Sequence, residues 1–213
     1  NASKAVLPLP PGMYQSNPEN SPHKMHLRLE NDGSGILIID AKTALHLNKT
    51  AAEFAYYLIH GASKETTLLQ IENRYSVKRE QLEEDYLRLM ETIQTLSTTE
   101  DLDPEGFFYV DRLDPYSQNL SAPYRLDIAL TYRQNEEAEK DTTPVDRVKR
   151  ELLSEEWKLI LKKTWDAGVP HVVFTGGEPT LRPDLPELIA YAQSNGQITG
   201  LLTDGFRLTD PGY

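Results

Sequence analysis

The 213-residue sequence contains no cysteine. That absence excludes disulfides and any thiolate metal site in the chain as it stands. Positive charge is also scarce: 22 lysines and arginines against 33 aspartates and glutamates leave a formal net charge of −11. Duplex binding needs lysine and arginine clustered at phosphates, so this balance speaks against a nucleic-acid partner. No apolar run approaches the roughly twenty residues of a membrane span, and no secretory signal stands at the start. These absences predict a cytoplasmic protein with no DNA and no membrane partner. The chain begins Asn1-Ala2 without a methionine, in the manner of a cleaved expression tag, so 1–23 is read as an N-terminal arm with a tag remnant. The length gives room for one large or two small domains.

The first block, 24–97, combines strands and helices. His26 to Glu30 and Ile36 to Asp40 flank Asn31-Asp32-Gly33-Ser34-Gly35, residues that tolerate the positive φ of tight turns, which predicts a hairpin. Leu45-His46-Leu47 makes a short third strand. A helix follows over Asn48 to His60, with Thr50 as N-cap, Glu53 at capping-box spacing, and Phe54, Tyr57 and Leu58 as its apolar face. Further helices are predicted over Lys64 to Arg74 and Arg79 to Leu96, the last with Leu82, Tyr86, Leu89, Met90, Ile93 and Leu96 at a period of three to four. Strands on three short helices predict an α+β winged-helix domain. Its third helix carries Glu80, Glu83, Glu84, Asp85 and Glu91 against Lys78, Arg79 and Arg88, a face that repels phosphate. From 98 to 122 the chain is rich in Asp, Pro, Ser and Thr, which reads as a linker docked through Phe107-Phe108-Tyr109-Val110.

The second block, 123–213, alternates apolar strands with amphipathic helices. Arg125 to Arg133, Val169 to Phe174 and Ile198 to Thr203 read as strands. Between them, Trp157, Ile160, Leu161, Thr164 and Trp165 mark one helix stopped by Gly168, and Leu185, Leu188, Ile189 and Ala192 another ended by Asn195-Gly196. The continuous apolar run at Val172-Val173-Phe174 suits a strand buried on both faces, and the strand-helix order predicts an α/β fold with parallel pairing. After that strand, Gly176 and Gly177 free the backbone for positive φ and for close approach of a ligand, and Pro179 fixes the exit. His171 reads as a structural histidine, and His23, His26, His46 and His60 have no metal-ligand spacing.

Two resemblances follow from these residues. The hairpin with Gly33 and Gly35, the phrase ALHLNKTAAEFAYYLIHGAS from Ala44 to Ser63, and Tyr75-Ser76-Val77 resemble the PqqD-type peptide-recognition domain. That resemblance implies capture of a peptide or protein by strand addition to a strand of the hairpin; an open edge offers the unpaired N–H and C=O groups for this, unless another part of the protein covers it. The run VPHVVFTGGEPTL from Val169 to Leu181 resembles the motif after the second barrel strand of radical S-adenosylmethionine (SAM) enzymes, and 123–213 resembles the first half of their parallel (β/α) barrel. It implies a [4Fe-4S] cluster and SAM as cofactors, with Gly176, Gly177 and Glu178 bonding the SAM amino group, Pro179 shaping the turn, and Thr203 in Thr203-Asp204-Gly205 standing where the family has Thr-Asn-Gly.

The family's cysteine loop belongs at about Arg133 to Asp141, where an ungapped match puts Gln134, Ala138 and Asp141. The acidic residues there, Glu136, Glu137, Glu139 and Asp141, read as a solvated loop rather than a site for a hard cation. Either the chain has lost its cluster and keeps a binding role, or a cysteine segment is encoded between Arg133 and Glu136 and missing from the sequence as given; the intact Gly176 to Pro179 favours the second. The leading expectation is a radical SAM enzyme, or a fragment of one, that modifies a peptide or protein, inactive as it stands and prone to form a homodimer of the fragment. The rivals are a non-catalytic peptide-binding scaffold and a winged-helix regulator.

Overall fold

A computed structural model of the chain describes residues 7–17, 22–98, 121–135 and 149–210. The chain divides into two compact units, Asn1–Ser121 and Ala122–Tyr213. The linker patch Phe107 to Val110 and loop residues 136–141 lie outside the described residues. No helix among the described residues is long and apolar enough to cross a membrane.

Unit 1 is a four-stranded antiparallel sheet, β1 (Gly12–Gln15), β2 (Met25–Leu29), β3 (Gly35–Ile39) and β4 (Thr43–Leu47), in that spatial order, followed by α1 (Lys49–Ile59), α2 (Lys64–Arg74) and α3 (Arg79–Thr98). The strand period of two puts Met25, Leu27, Leu29, Leu37 and Ile39 into one core with Ala52, Ala55, Ile59 and Ile93 of the helices. Phe54, Leu68, Ile71 and Leu82 form a second cluster that joins the three helices. The predicted hairpin turn is present: Gly33 has φ +88° and Asp32 Oδ1 accepts the Ser34 amide at 2.9 Å.

Three expectations are corrected here. The arm 1–23 contains β1, which pairs with β2 in the register Gly12↔Leu29 and packs Tyr14 edge-on against Tyr56 at 5.0 Å. Four residues without alternation carry no strand signal; the tertiary contact makes the strand. The N-cap of α1 is Asn48, not Thr50, because Asn48 Oδ1 reaches the Ala51 amide at 3.0 Å. Glu53 is therefore free of capping and turns inward. Finally, neither strand of the hairpin has an open edge: β2 lies between β1 and β3, and β3 between β2 and β4. Among the described residues the outer strands are β1 and β4.

Glu53 is buried and accepts a two-pronged ion pair from Arg74, Nε to Oε2 at 2.8 Å and Nη2 to Oε1 at 3.0 Å. Tyr75 donates its hydroxyl to Oε1 at 2.7 Å; burial, and then this bond, push the Tyr75 phenol up to about 12. Glu53→Gln keeps the shape but loses the charge-assisted bonds, and since Arg74 is a quarter exposed the expected cost is about 1–2 kcal/mol in a urea melt followed by circular dichroism.

Unit 2 is a parallel sheet in the order β5 (Arg125–Thr131), β6 (His171–Gly176), β7 (Ile198–Leu201), with α4 (Ser154–Asp166) and α5 (Leu185–Asn195) as the crossovers. The predicted strand-helix order and parallel pairing are as found. Ile128, Leu130, Val172, Phe174, Trp157, Leu161, Leu185, Leu188 and Ala192 make one core between sheet and helices. Val172, Val173 and Phe174 are all buried, which is why β6 shows no alternation. Gly196, at φ +105°, ends α5 as a left-handed cap. His171 opens β6, at the end of the strand away from Gly176, and burial, then the neighbouring Arg125, lower its pKa.

Candidate functional site

Parallel strands gather their carboxyl ends on one rim, where α/β proteins place ligands. Here β5 leads into Tyr132 to Asn135, β6 into Gly176 to Arg182, and β7 into Leu202 to Gly205. The rim therefore brings together every site residue expected from the sequence: Gly176, Gly177, Glu178, Pro179 and Thr203.

Gly176 has the positive φ expected of it, and main chain also packs closely against both glycines. A Cβ on Gly176 would stand 2.1 Å from Thr131 O, and a Cβ on Gly177 would stand 2.1 Å from Arg133 O. The main chain leaving β5 makes this close approach. Two hydrogen bonds hold it there: the Gly177 amide donates to Thr131 O at 2.8 Å and the Glu178 amide to Arg133 O at 2.7 Å. Gly176 also takes φ +132°, which favours glycine.

Glu178 is 2% exposed and sits at the centre of the rim. Its Oε1 accepts from the Thr180 amide at 2.8 Å, from the Thr180 hydroxyl, and from the Thr203 hydroxyl at 2.8 Å; its Oε2 accepts from the Asp204 amide at 2.8 Å. Thr203 in turn accepts the Gly205 amide at 3.0 Å. One carboxylate thus joins the turn after β6 to the segment after β7. Burial pushes this carboxyl up, but the bonds from Thr180, Asp204 and Thr203 together outweigh it, and its pKa lies below the ordinary 4.5. A lowered folded pKa gives stability that is fully present above the unfolded value and is lost as pH falls through the folded one.

Asp204 acts at two atoms beyond its amide: Oδ1 accepts the Phe206 amide at 3.0 Å and Oδ2 accepts Asn135 Nδ2 at 2.6 Å. The chain after β5 is thereby tied to the end of β7. Below the rim, Arg182 is buried and donates to Asp184 through Nε and Nη2 at 2.9 and 2.7 Å, to Leu130 O at 3.2 Å and to Leu152 O at 3.1 Å. The Arg182 guanidinium holds the Asp184 carboxyl below the usual range, with a further bond from Ser154. Glu151 accepts from Thr131 and from Arg133 at the same strand end.

Sequence reasoning missed Asn135, Glu151, Thr180, Arg182 and Asp184. Arginine is seldom fully buried, so nothing in composition marks Arg182 as interior. The available signal was the spacing Arg182-Pro183-Asp184 directly before the apolar face of α5, which places a cation and an anion side by side at a helix start.

The radical SAM superfamily model matches residues 133–212. Among curated proteins, the PqqA peptide cyclase of Streptomyces rochei is 38% identical over 92 residues, which cover 42% of this chain and 25% of that protein. The PqqA peptide cyclase of Bradyrhizobium diazoefficiens is 36% identical over 95 residues, 44% of this chain and 25% of that protein. The chain thus spans about a quarter of the length of the curated relatives it matches. Among solved structures, Streptococcus suis SuiB bound to precursor peptide SuiA aligns with 92% of this chain and 44% of its own, at a TM-score of 0.50 and 19% identity. That likeness concerns the fold.

The superfamily implies SAM and an iron-sulfur cluster, and the two fare differently against these residues. A cluster of this type takes thiolate ligands, and the sequence has none. Among the described residues no group of three or more His, Asp or Glu side chains is placed to hold a metal ion. The cluster does not fit this chain as it stands. An ammonium group needs acceptors, and Glu178 Oε2, with one bond to the Asp204 amide, is an acceptor of the right charge.

Proposed function

We propose that this chain, whose second unit belongs to the radical SAM superfamily, takes part in modifying a peptide or protein. In this reading unit 1 is a PqqD-like winged-helix module that captures the substrate by strand addition, and unit 2 holds SAM at its rim. The observation that carries it is the edge of unit 1: among the described residues β4 pairs with β3 alone, and Ala44 and His46 on it are exposed. A peptide strand laid there would satisfy a row of backbone groups with little demand on sequence. The curated relatives are PqqA peptide cyclases, which supports a peptide as partner.

Held with a cluster, SAM would supply radical abstraction of hydrogen from the substrate. Without thiolates no such step is assigned to this chain, and its residues bind. Glu178 offers its carboxylate to the SAM ammonium, Gly176, Gly177 and Pro179 set the turn that carries Glu178, and Thr203 orients Oε1 from the far side. The zero cysteine count favours a second reading, a peptide-binding scaffold without radical chemistry. The gene sequence between the codons for Arg133 and Glu136 separates the two: a cysteine-bearing insertion supports the enzyme, and its absence the scaffold.

The capture step is tested by hydrogen exchange of the chain with and without a synthetic peptide encoded beside its gene. Amides of 43–47 are expected to slow by about tenfold or more on binding, with those of β1 unchanged. Protection confined to β1, or none anywhere in unit 1, would remove strand addition to β4 as the mode of capture.

A further inference from the structure

The hairpin of unit 1 has no open edge because the chain lays its own segment, β1, along β2. The two strands contribute unequally to the fold. All five residues of β2 are buried, and Met25, Leu27 and Leu29 pack into the core on the helix side. In β1, Gly12 and Gln15 are exposed while Met13 and Tyr14 are half-buried, so none of its side chains is a fully buried part of that core. Backbone bonds and a few side chains hold it instead. The Ser16 amide donates to Met25 O at 2.9 Å, and the Met25 amide donates to Ser16 Oγ at 3.0 Å. On the other side of β2, Lys24 O accepts the Asp40 amide at 2.9 Å and the Glu30 amide donates to Ser34 O at 2.8 Å. The strand period of two therefore turns the amides of Leu27 and Leu29 toward β1 and those of His26 and Arg28 toward β3. Tyr14 stands edge-on to Tyr56 at 5.0 Å and to His60 at 5.6 Å, a socket of two rings.

We propose that the edge of β2 is a second strand-addition site, occupied in cis by residues 12–15 as an internal ligand, and that it takes in trans an uncharged extended peptide with a tyrosine for the Tyr56–His60 socket. The chemistry of the ligand is read from the segment that fills the site. Residues 7–17 carry no charge in a chain where 26% of residues are charged, so no ion pair is demanded of a peptide there. Pro8, Pro10 and Pro11 favour an extended approach with little entropy left to lose. Gly12 takes φ +148°, which favours glycine two residues before the tyrosine. Backbone pairing supplies affinity and the aromatic socket supplies selection, the division of labour that strand addition uses. This site lies on the opposite side of the sheet from β4, and its occupant differs from a peptide captured there.

The test is residue-resolved amide exchange by nuclear magnetic resonance on the whole chain, with a synthetic peptide of residues 7–17 as the added ligand. In the wild type the Leu27 and Leu29 amides are expected to be protected and the peptide to change nothing, because the short connection 16–24 keeps the tethered strand at an effective concentration on the order of millimolar. In Tyr14→Ala the internal ligand loses its aromatic contact, and Leu27 and Leu29 should exchange about tenfold faster while His26 and Arg28, turned to β3, keep their protection. The peptide at about 1 mM should then restore Leu27 and Leu29, and the same peptide carrying Tyr14→Ala should not. A general loosening of unit 1 would accelerate all four amides together, so the alternation is what a merely structural role of Tyr14 does not produce. If Tyr14→Ala fails to fold, His60→Ala opens the socket from its exposed side, and the same split between Leu27 and Leu29 on one hand and His26 and Arg28 on the other is expected. Equal acceleration of the four amides, or unchanged exchange at Leu27 and Leu29, would overturn the proposal. So would failure of the parent peptide to restore Tyr14→Ala, or equal restoration by the peptide that lacks the tyrosine. No amide of β4 is read, so the result is separate from the fate of capture at that edge.

Discussion

Gly176→Ala is expected to lower the thermal midpoint of unit 2 by about 10–20 °C, corresponding to about 3 kcal/mol or more in a domain of this size. The new methyl would stand 2.1 Å from Thr131 O, with Thr131 C and N both at 3.2 Å. These are main-chain atoms of β5, so no rotamer change relieves the contact, and the two strands must part at their carboxyl ends. The residue also has φ +132°, a conformation that costs any side chain further. Gly205→Ala is the control: it too has positive φ, but nothing lies within 4 Å of its Cβ, so only conformational strain of about 1–2 kcal/mol is expected there. Tryptophan fluorescence makes the measurement specific, because the chain's two tryptophans, Trp157 and Trp165, both lie on α4 in unit 2. Equal midpoints for the two variants would show that the strand ends separate at little cost and that the steric account of the glycine pair is wrong.

Arg182→Met is expected to cost unit 2 about 3–5 kcal/mol, because it leaves a carboxylate and two carbonyls without their buried donor. The guanidinium meets Asp184 with two parallel bonds and reaches Leu130 O in β5 and Leu152 O before α4. It thus ties the turn after β6 to two segments far away in sequence. Arg182→Lys should recover little, since a lysine ammonium cannot reproduce the planar fork. Pairing Arg182→Met with Asp184→Asn should return part of the loss, because the orphaned charge is then gone. Urea melts of the two single variants and the double variant measure this coupling. A strictly additive double variant would mean that the Arg182–Asp184 pair contributes nothing beyond its separate members.

Much of unit 2 was legible in the sequence because its signals are local. The apolar run Val172-Val173-Phe174 and the stops at Gly168 and Gly196 place strand and helices without any knowledge of their neighbours. The hairpin around Gly33 was legible for the same reason. The strand β1 was not, since Gly12 to Gln15 gains its structure from β2 and from Tyr56. Nor was the role of Glu53: capping-box spacing is a local pattern, and the Arg74 and Tyr75 that capture the side chain lie more than twenty residues away.

At the rim the division is sharper. The sequence by itself determined that Gly176, Gly177, Glu178 and Thr203 stand at the ends of adjacent parallel strands, and that no thiolate exists to hold a cluster beside them. Only the tertiary structure decided what those residues touch. The glycines yield to the main chain at Thr131 and Arg133, and Glu178 spends its oxygens on Thr180, Thr203 and Asp204. The physical reason is one of range: periodicity and turn chemistry act over a few residues, whereas hydrogen-bond partners of a buried carboxylate are chosen by which strand ends the parallel sheet brings within 3 Å.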